Sequence, residues 1–394
     1  MIEIRLGDIG EFKGGVTTIS TKDYGFGTPF IQYTNIYSNS KVDVNSLMLV
    51  NVKPIELERR SCKFGDIFFT ASSEVDNEVA MSSVLLDDID NLTFNGFSKR
   101  FRLFNFNTLL PEYARYYFRG IEFRNQVNQR VTGDVRYNIS IKSLNDICIR
   151  IPSLKEQKAI AEVLSSIDDK IDLLNRQNET LEAMAQTLFR QWFIEESDDS
   201  WEEREIGRFA KLIKETVSPA TNPDNTFEHY SLPAYDNQKN PTIDQGADIK
   251  SNKYKVFNEV ILISKLNPGT SRVWLILNEA QDNSICSTEF VVVKPNYKEW
   301  LFFIYCLLNS VETSEYLGSC ASGTSGSHQR IKPADILNLT FKFGHIVKVK
   351  NFSSTVRPFF EKISINITSI KSLVQTRDTL LPKLMSGEVR VKLD

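Results

Sequence analysis

One run constrains this chain more than any other: Ile151 to Phe193, IPSLKEQKAIAEVLSSIDDKIDLLNRQNETLEAMAQTLFRQWF. Apolar residues recur in alternating steps of three and four at Leu164, Ile167, Ile171, Leu174, Leu181, Ala185, Leu188 and Trp192, with Asn178 in the one polar slot. A spacing averaging about 3.5 residues lays a narrow apolar seam along a long helix, the pattern of a coiled coil. Such a helix is marginal alone and has to bury its stripe. No partner follows at once, because Glu195 to Glu203 (EESDDSWEE) is acidic and aperiodic, which predicts a solvated connector. The partner lies near the C-terminus. Val356, Phe359, Ile363, Ile370, Leu373, Leu380 and Leu384 repeat the spacing, with Asn366 and Arg377 in polar slots. Leu164 and Val356, Ile171 and Ile363, and Leu188 and Leu380 each stand 192 residues apart.

That offset prompts a search for a wider repeat. RLGDIG from Arg5 matches EIGRFA from Glu205, and KFGDIFFT from Lys63 matches VFNEVILI from Val256. EYARYYF from Glu112 matches EWLFFIY from Glu299, and ISIKSLNDICIRIP from Ile139 matches IKPADILNLTFKFG from Ile331. The order is globular unit, long helix, globular unit, long helix. Alternating strand-like segments such as Ser98 to Phe104 and Glu289 to Val293, set among short helices, make each unit mixed. The fold class is therefore α+β: two mixed α/β units separated by two long helices, with a pseudo-twofold internal repeat. The boundaries fall at residues 1–150, 151–196, 197–344 and 345–394. We expect the helices to pair within the chain as an antiparallel coiled coil, since two repeats about an approximate twofold axis place their globular units at opposite ends. Asn178, Asn366 and Arg377 would reduce the stability of that seam but discriminate register. A helix of 30 to 40 residues, about 45–60 Å long, would act as a rigid spacer. Gly387, in LMSGEV, is the expected C-cap of the second helix.

Motifs for catalysis are mostly absent. The chain has no GxxxxGK[ST] phosphate loop, no strand-associated GxGxxG and no HExxH. Its three histidines, His229, His328 and His345, are far apart. NPDN from Asn222 and NPGT from Asn267 lack the second proline and the aromatic residue of an amino-methyltransferase motif. Five scattered cysteines without a CxxC read as reduced thiols of a cytoplasmic protein, and the start of the chain does not read as a signal peptide. We expect no catalytic residue, no metal site and no cofactor of its own.

Recognition remains. The net charge of −3 does not suggest a nucleic-acid binder, but Lys99 to Arg150 holds ten basic residues against four acidic ones. That excess makes either a phosphate-facing surface or an ordinary solvated face; on the first reading Lys99, Arg100, Arg102, Arg115, Arg119 and Arg130 contact DNA. The loop TGDVRYNIS supplies Thr132, Arg136 and Tyr137, and its counterpart SGTSGSHQRI supplies Thr324, Ser325, His328, Gln329 and Arg330. Small residues allow close backbone approach, Arg grips phosphate or guanine, and Gln can pair with adenine. PFIQYTNIYSN and HYSLPAYDNQK add Tyr33, Asn35 and Tyr235, which either reach base edges or pack inside a sheet.

The layout resembles the specificity subunit of type I restriction-modification systems. The central stretch is similar to that family's central helical region nearly throughout, and LLPKLMSGEV from Leu380 to its C-terminal one. LGDIGEFKGG, PFIQYTNI and FGDIFFT resemble one class of its target-recognition domains; IGRFAKLIK and LISKLNPGTSRVW, with Lys265 and Arg272, are similar to another. VKVKNFSSTVRPFFEKI from Val347 departs by lacking an EQ pair, so the motif does not place the start of the second helix. The resemblance implies a non-catalytic DNA-reading subunit. Each domain would read half of a bipartite asymmetric site, and the helices would set the gap. Its partners would be double-stranded DNA, two modification (methyltransferase) subunits bringing S-adenosylmethionine, and ATP- and Mg-dependent restriction subunits. The alternative from the residues alone is a coiled-coil protein-interaction scaffold without DNA specificity.

Overall fold

The computed structural model describes residues 1–322 and 329–392; Thr324, Ser325 and His328 lie outside them. The chain divides into two compact units, Met1–Asp169 with Leu373–Asp394, and Lys170–Ser372. The long helices are Leu154–Arg190 and Ile346–Ser386, and each contributes to both units.

In the first unit Ile2–Arg5 pairs antiparallel with Cys148–Ile151, so the strand that delivers the chain into the first long helix is held by the chain's own beginning. A four-stranded antiparallel sheet follows in the order Gly10–Gly14, Ser98–Leu103, Ile67–Thr70, Ser82–Val84. Its central strand, Ile67–Thr70, is buried at every residue, which explains an unbroken apolar run where alternation would mark a half-exposed strand. Phe12 stacks on Phe101 at 4.5 Å, and Phe69 meets the Phe118 ring edge-on at 5.2 Å. A smaller sheet joins Met48–Val50, Tyr24–Ile31 and Thr93–Phe94, the last two parallel.

The second unit repeats this plan. Ala210–Ile213, Phe290–Pro295, Val260–Ser264 and Val273–Ile276 form a four-stranded sheet in the corresponding order. Thr226–Tyr230 runs parallel to Ser284–Cys286, as Tyr24–Ile31 does to Thr93–Phe94, within a sheet extended to five strands. Glu203–Glu205 pairs with Thr340–Lys342, the counterpart of the first unit's terminal pair. Even single bonds recur: Leu6 N–H donates to Ile147 at 3.0 Å and Ile206 N–H to Leu339 at 2.9 Å. The four matched segments therefore occupy matched elements.

Inside each unit the two long helices run antiparallel, as expected. In the first, Ile160, Ala161 and Leu164 share a core with Leu384 and Met385, while the later Asp168 meets the earlier Arg377. In the second, Phe189 and Phe193 pack on Phe352 at 5.9 and 5.4 Å, and the earlier Asn178 bonds the later Asn366. The polar slots are matched. Asn366, 1 % exposed, donates to Asn178 Oδ1 at 2.8 Å and to Gln177 Oε1 at 2.9 Å. Of the seam residues, Leu164, Ile171, Leu174, Val356, Ile363 and Leu384 are buried; Ile167, Leu181, Leu188, Phe359, Ile370, Leu373 and Leu380 are half-buried. The stripe is wider than a two-helix seam. Ile160, Phe189, Phe193, Val349, Phe352 and Phe360, off the predicted positions, are among the most buried, because the helices also pack on the globular cores.

The start of the second helix shows why the EQ pair is missing. In the first helix the fully buried Gln157 donates to the carbonyls of Thr108 and Pro152 at 2.9 and 3.0 Å and accepts from Leu110 N–H at 2.9 Å. The position 192 residues on is Val349, also fully buried. A polar clasp at one site is apolar packing at the other, and His345 Nδ1, accepting from Val347 N–H at 3.2 Å, caps the start. Gly387 ends the helix with φ +76°, a left-handed cap that glycine adopts without a Cβ penalty. The acidic connector is solvated as expected, residues 195–200, 202 and 203 being exposed, but it is anchored at one point. Trp201 packs against the second core beside Gly344 and lies under Lys348 at 4.7 Å, and Lys348 also pairs with Glu196 at 3.3 Å. An aromatic ring and a basic anchor tie the segment down.

Replacing Gln157 with Ala leaves two carbonyls and one N–H buried without partners and should cost about 3 kcal/mol, at 1–3 kcal/mol for each group only partly rescued by water. Denaturant unfolding measures it; a cost under about 0.5 kcal/mol contradicts the clasp.

Candidate nucleic-acid interface

Arginine carries five donors on a planar fork, so one side chain can bind several carbonyls or a carboxylate edge-on. The first unit uses most of its arginines in that way. Arg100, 1 % exposed, donates to Ser61 O at 2.5 Å, and burial lowers its pKa. Arg102 grips Asp66 through Nε and Nη2 at 2.7 and 2.6 Å. Arg119 donates to the carbonyls of Ser82, Ile36, Tyr37 and Asn39. Burial, then the neighbouring Arg124 and Arg115, bring Arg119 down to about 10. Arg124 bonds Val79 O and Asn77 O, and Arg130 turns back to Gln126 O at 2.9 Å. Arg115 and Arg377 hold opposite oxygens of the buried Asp168 at 2.9 and 3.1 Å, with the Tyr116 hydroxyl at 2.8 Å.

The charge count over Lys99 to Arg150 therefore misleads. Arg100, Arg102, Arg115 and Arg119 each bind internal acceptors and support the fold, Arg100 by being buried and the others through several donors each, which weighs against their expected role as DNA contacts. Asn35, 6 % exposed, supports the fold too: it caps a helix turn, accepting from Gln32 N–H at 2.9 Å and donating to Ser46 at 3.0 Å. Lys99 is half-buried on the sheet.

What the first unit does bring together is Tyr33 and Arg136, while Tyr137 packs its side chain on the core. Thr132 and Asn138 close a hairpin by exchanging backbone bonds at 3.0 and 2.8 Å. Gly133, at φ +121°, makes the turn, and a Cβ there would stand 2.2 Å from Arg136 O. Tyr137 and Asn138 pair with Ser73 and Ser72, and the Tyr33 hydroxyl donates to Ser72 O at 3.0 Å. The result is a cleft of about 390 Å³ lined by Tyr33, Ser72, Ser73, Glu74, Val75, Glu78, Phe97 and Arg136. The Arg136 guanidinium lies over the Phe97 ring at 5.5 Å and makes no ion pair among the described residues. Phe97 is 59 % exposed, Val75 45 %, and Val135 at the hairpin tip 87 %. Phe97, Glu74 and Glu78 were not anticipated; an exposed aromatic after the Asn95-Gly96 turn was the available signal.

In the second unit Ser322 and Arg330 form the matching antiparallel bridge, bonded at 3.1 Å in both directions. Arg330, however, binds Glu289 through Nε and Nη2 at 3.2 and 3.3 Å. Glu289 stands where Phe97 stands in the first unit, one residue before the strand. Gln329 is half-buried, its carbonyl accepting from Asn267 N–H at 3.0 Å. Arg272 pairs with Asp236 at 2.7 and 3.1 Å, and the half-buried Tyr235 lies edge-on to Trp274 with Lys239 above it at 5.7 Å. Lys265 lines a small recess with Tyr254 and Phe290.

Among the described residues no group of three or more His, Cys, Asp or Glu is placed to hold a metal, and no helix is long and apolar enough to cross a membrane. The inward and outward arginines should separate by stability. Asp168→Ala, which leaves two guanidinium groups half-buried without their carboxylate, should cost about 3 kcal/mol, whereas Arg136→Ala should stay within about 0.5 kcal/mol. Thermal or denaturant unfolding decides; equal costs would contradict the assignment.

Among known families, the one described as "Type I restriction modification DNA specificity domain" matches residues 1–183. The MjaIX specificity subunit of a type I restriction enzyme of Methanocaldococcus jannaschii is 30% identical over 316 residues, 72% of this chain and 70% of that one. The HindI specificity subunit of Haemophilus influenzae is 29% identical over 158 residues, 37% of this chain and 31% of that one. The crystal structure of a type I restriction-modification S subunit from M. genitalium shares the fold, with a TM-score of 0.55 at 16% identity, covering 97% of this chain and 95% of that chain. Duplicated units, paired helices and these likenesses agree: the chain belongs to the specificity subunits of type I restriction enzymes.

Proposed function

We propose that the chain is the non-catalytic, DNA-reading subunit of a type I restriction-modification complex acting in the cytoplasm. Residues 1–150 and 197–344 each read one half of a bipartite, asymmetric site in double-stranded DNA. The helical segments 151–196 and 345–394 set the gap between the halves and dock two modification subunits. Those subunits supply S-adenosylmethionine, restriction subunits supply the ATP- and Mg-dependent steps, and this chain holds no cofactor itself. The observation that carries the reading is duplication with divergence. The same strand order recurs in both units, while Phe97 meets Arg136 in one and Glu289 meets Arg330 in the other. One scaffold used twice with different contact chemistry suits two unlike half-sites.

The inward-turned arginines favour a second reading, a helix-pair scaffold that docks proteins only. Salt separates the two. A complex neutralising six phosphates should lose affinity about a thousandfold between 50 and 200 mM salt, while a protein scaffold shows no such DNA term. Deleting one heptad from each long helix shortens each by about 10 Å and should shorten the gap by about three base pairs at ~3.4 Å each. The gap is read from the methylated sites; an unchanged gap rejects the spacer role.

A further inference from the structure

The cleft of the first unit sets one guanidinium, Arg136, beside two carboxylates, Glu74 and Glu78. That balance is wrong for a phosphate: two fixed negative charges repel it more than one positive charge attracts it. It suits a base-pair edge that presents both acceptors and a donor. In the major groove guanine offers N7 and O6 as acceptors, and its cytosine partner offers the N4 amino group as a donor.

Both groups are held in place. Phe97 lies beneath the guanidinium at 5.5 Å, which orients the fork. The Glu78 carboxylate accepts from Ser73 Oγ at 2.7 Å and from the Tyr37 hydroxyl at 2.9 Å. A carboxylate has about four lone-pair sites, so acceptor capacity remains for a third donor. Glu74 is exposed and adds to the negative field. An A·T pair fits less well, since adenine's N6 amino group stands where the second arm of the fork needs an acceptor.

We infer that this cleft reads the major-groove edge of one G·C pair in the first unit's half-site, Arg136 donating to guanine N7 and O6 and Glu78 accepting from cytosine N4. The inference rests on the DNA-reading function proposed above and assigns Arg136 to base readout, not to backbone grip. The second unit does not repeat it, because Arg330 is already paired with Glu289.

The test is selection from a randomised duplex library by the assembled complex, with wild type, Arg136→Ala and Glu78→Gln compared at two salt concentrations. Wild type should enrich G·C at one position, and both variants should lose that preference there, by about 5- to 150-fold, with the salt slope unchanged. If Arg136→Ala instead weakens all sequences alike and lowers the slope by about one, or leaves the preference intact, the inference is overturned and the function stands. If wild type enriches no sequence, the DNA-reading function falls and takes the inference with it. Should Glu78→Gln melt early, Arg136→Ala, at an exposed position, decides alone.

Discussion

The packing of one long helix against another is the constraint from which the rest follows. A helix of 37 residues with an apolar stripe does not persist alone in water, so Leu154–Arg190 needs Ile346–Ser386. One globular unit fills the span between the helices, and another of the same design precedes the first helix. Register is set by polar contacts: Asn366 with Asn178 and Gln177, and Asp168 with Arg377, are satisfied only in one alignment. Sliding either helix by a turn would bury an amide or an acid without a partner, at a cost of about 1–3 kcal/mol for the amide and more for the acid. The helix pair is thus fixed in register within each unit.

Charge along the chain and charge on the surface proved to be different quantities. Lys99 to Arg150 carries an excess of basic residues, but guanidinium groups are good internal fasteners. Arg119 alone gathers four carbonyls, one from the strand Ser82–Val84 and three from the end of the helix Tyr33–Ser38. Arg136 differs because its hairpin, turned by Gly133, projects from the sheet and leaves the fork with only a ring beneath it. Position on a closing hairpin, and not membership in a basic stretch, separates an arginine able to meet a ligand from one that closes a fold.

The architecture was legible because it is written in spacing. The three-four steps at Leu164 to Leu188, their repetition after 192 residues and the matched flanking segments yielded two helices, two mixed units and an antiparallel pair, all of which the structure shows. Less legible was the width of the helical stripe: Phe189, Phe193 and Phe352 face globular cores, and no local period announces a contact with residues a hundred positions away. The candidate interface was read only in part. Tyr33 and Arg136 do share one cleft with Phe97, Glu74 and Glu78, while Tyr137 contributes through its strand, pairing with Ser73, and packs its side chain on the core. Asn35 misled because a polar residue in a loop-like run was judged by its neighbours in sequence, while its role comes from Ser46; the acidic run is solvated as expected, and its tether through Trp201 to Gly344 and Lys348 had no local signal.

The central claim is that one duplicated chain reads two unlike sequences at a fixed separation. Mapping every methylated adenine in DNA exposed to this chain with its modification subunits tests it most directly. The account predicts one split motif, its two halves different and separated by a gap of constant length and variable sequence. A single uninterrupted motif, two identical halves or methylation without sequence preference would contradict it.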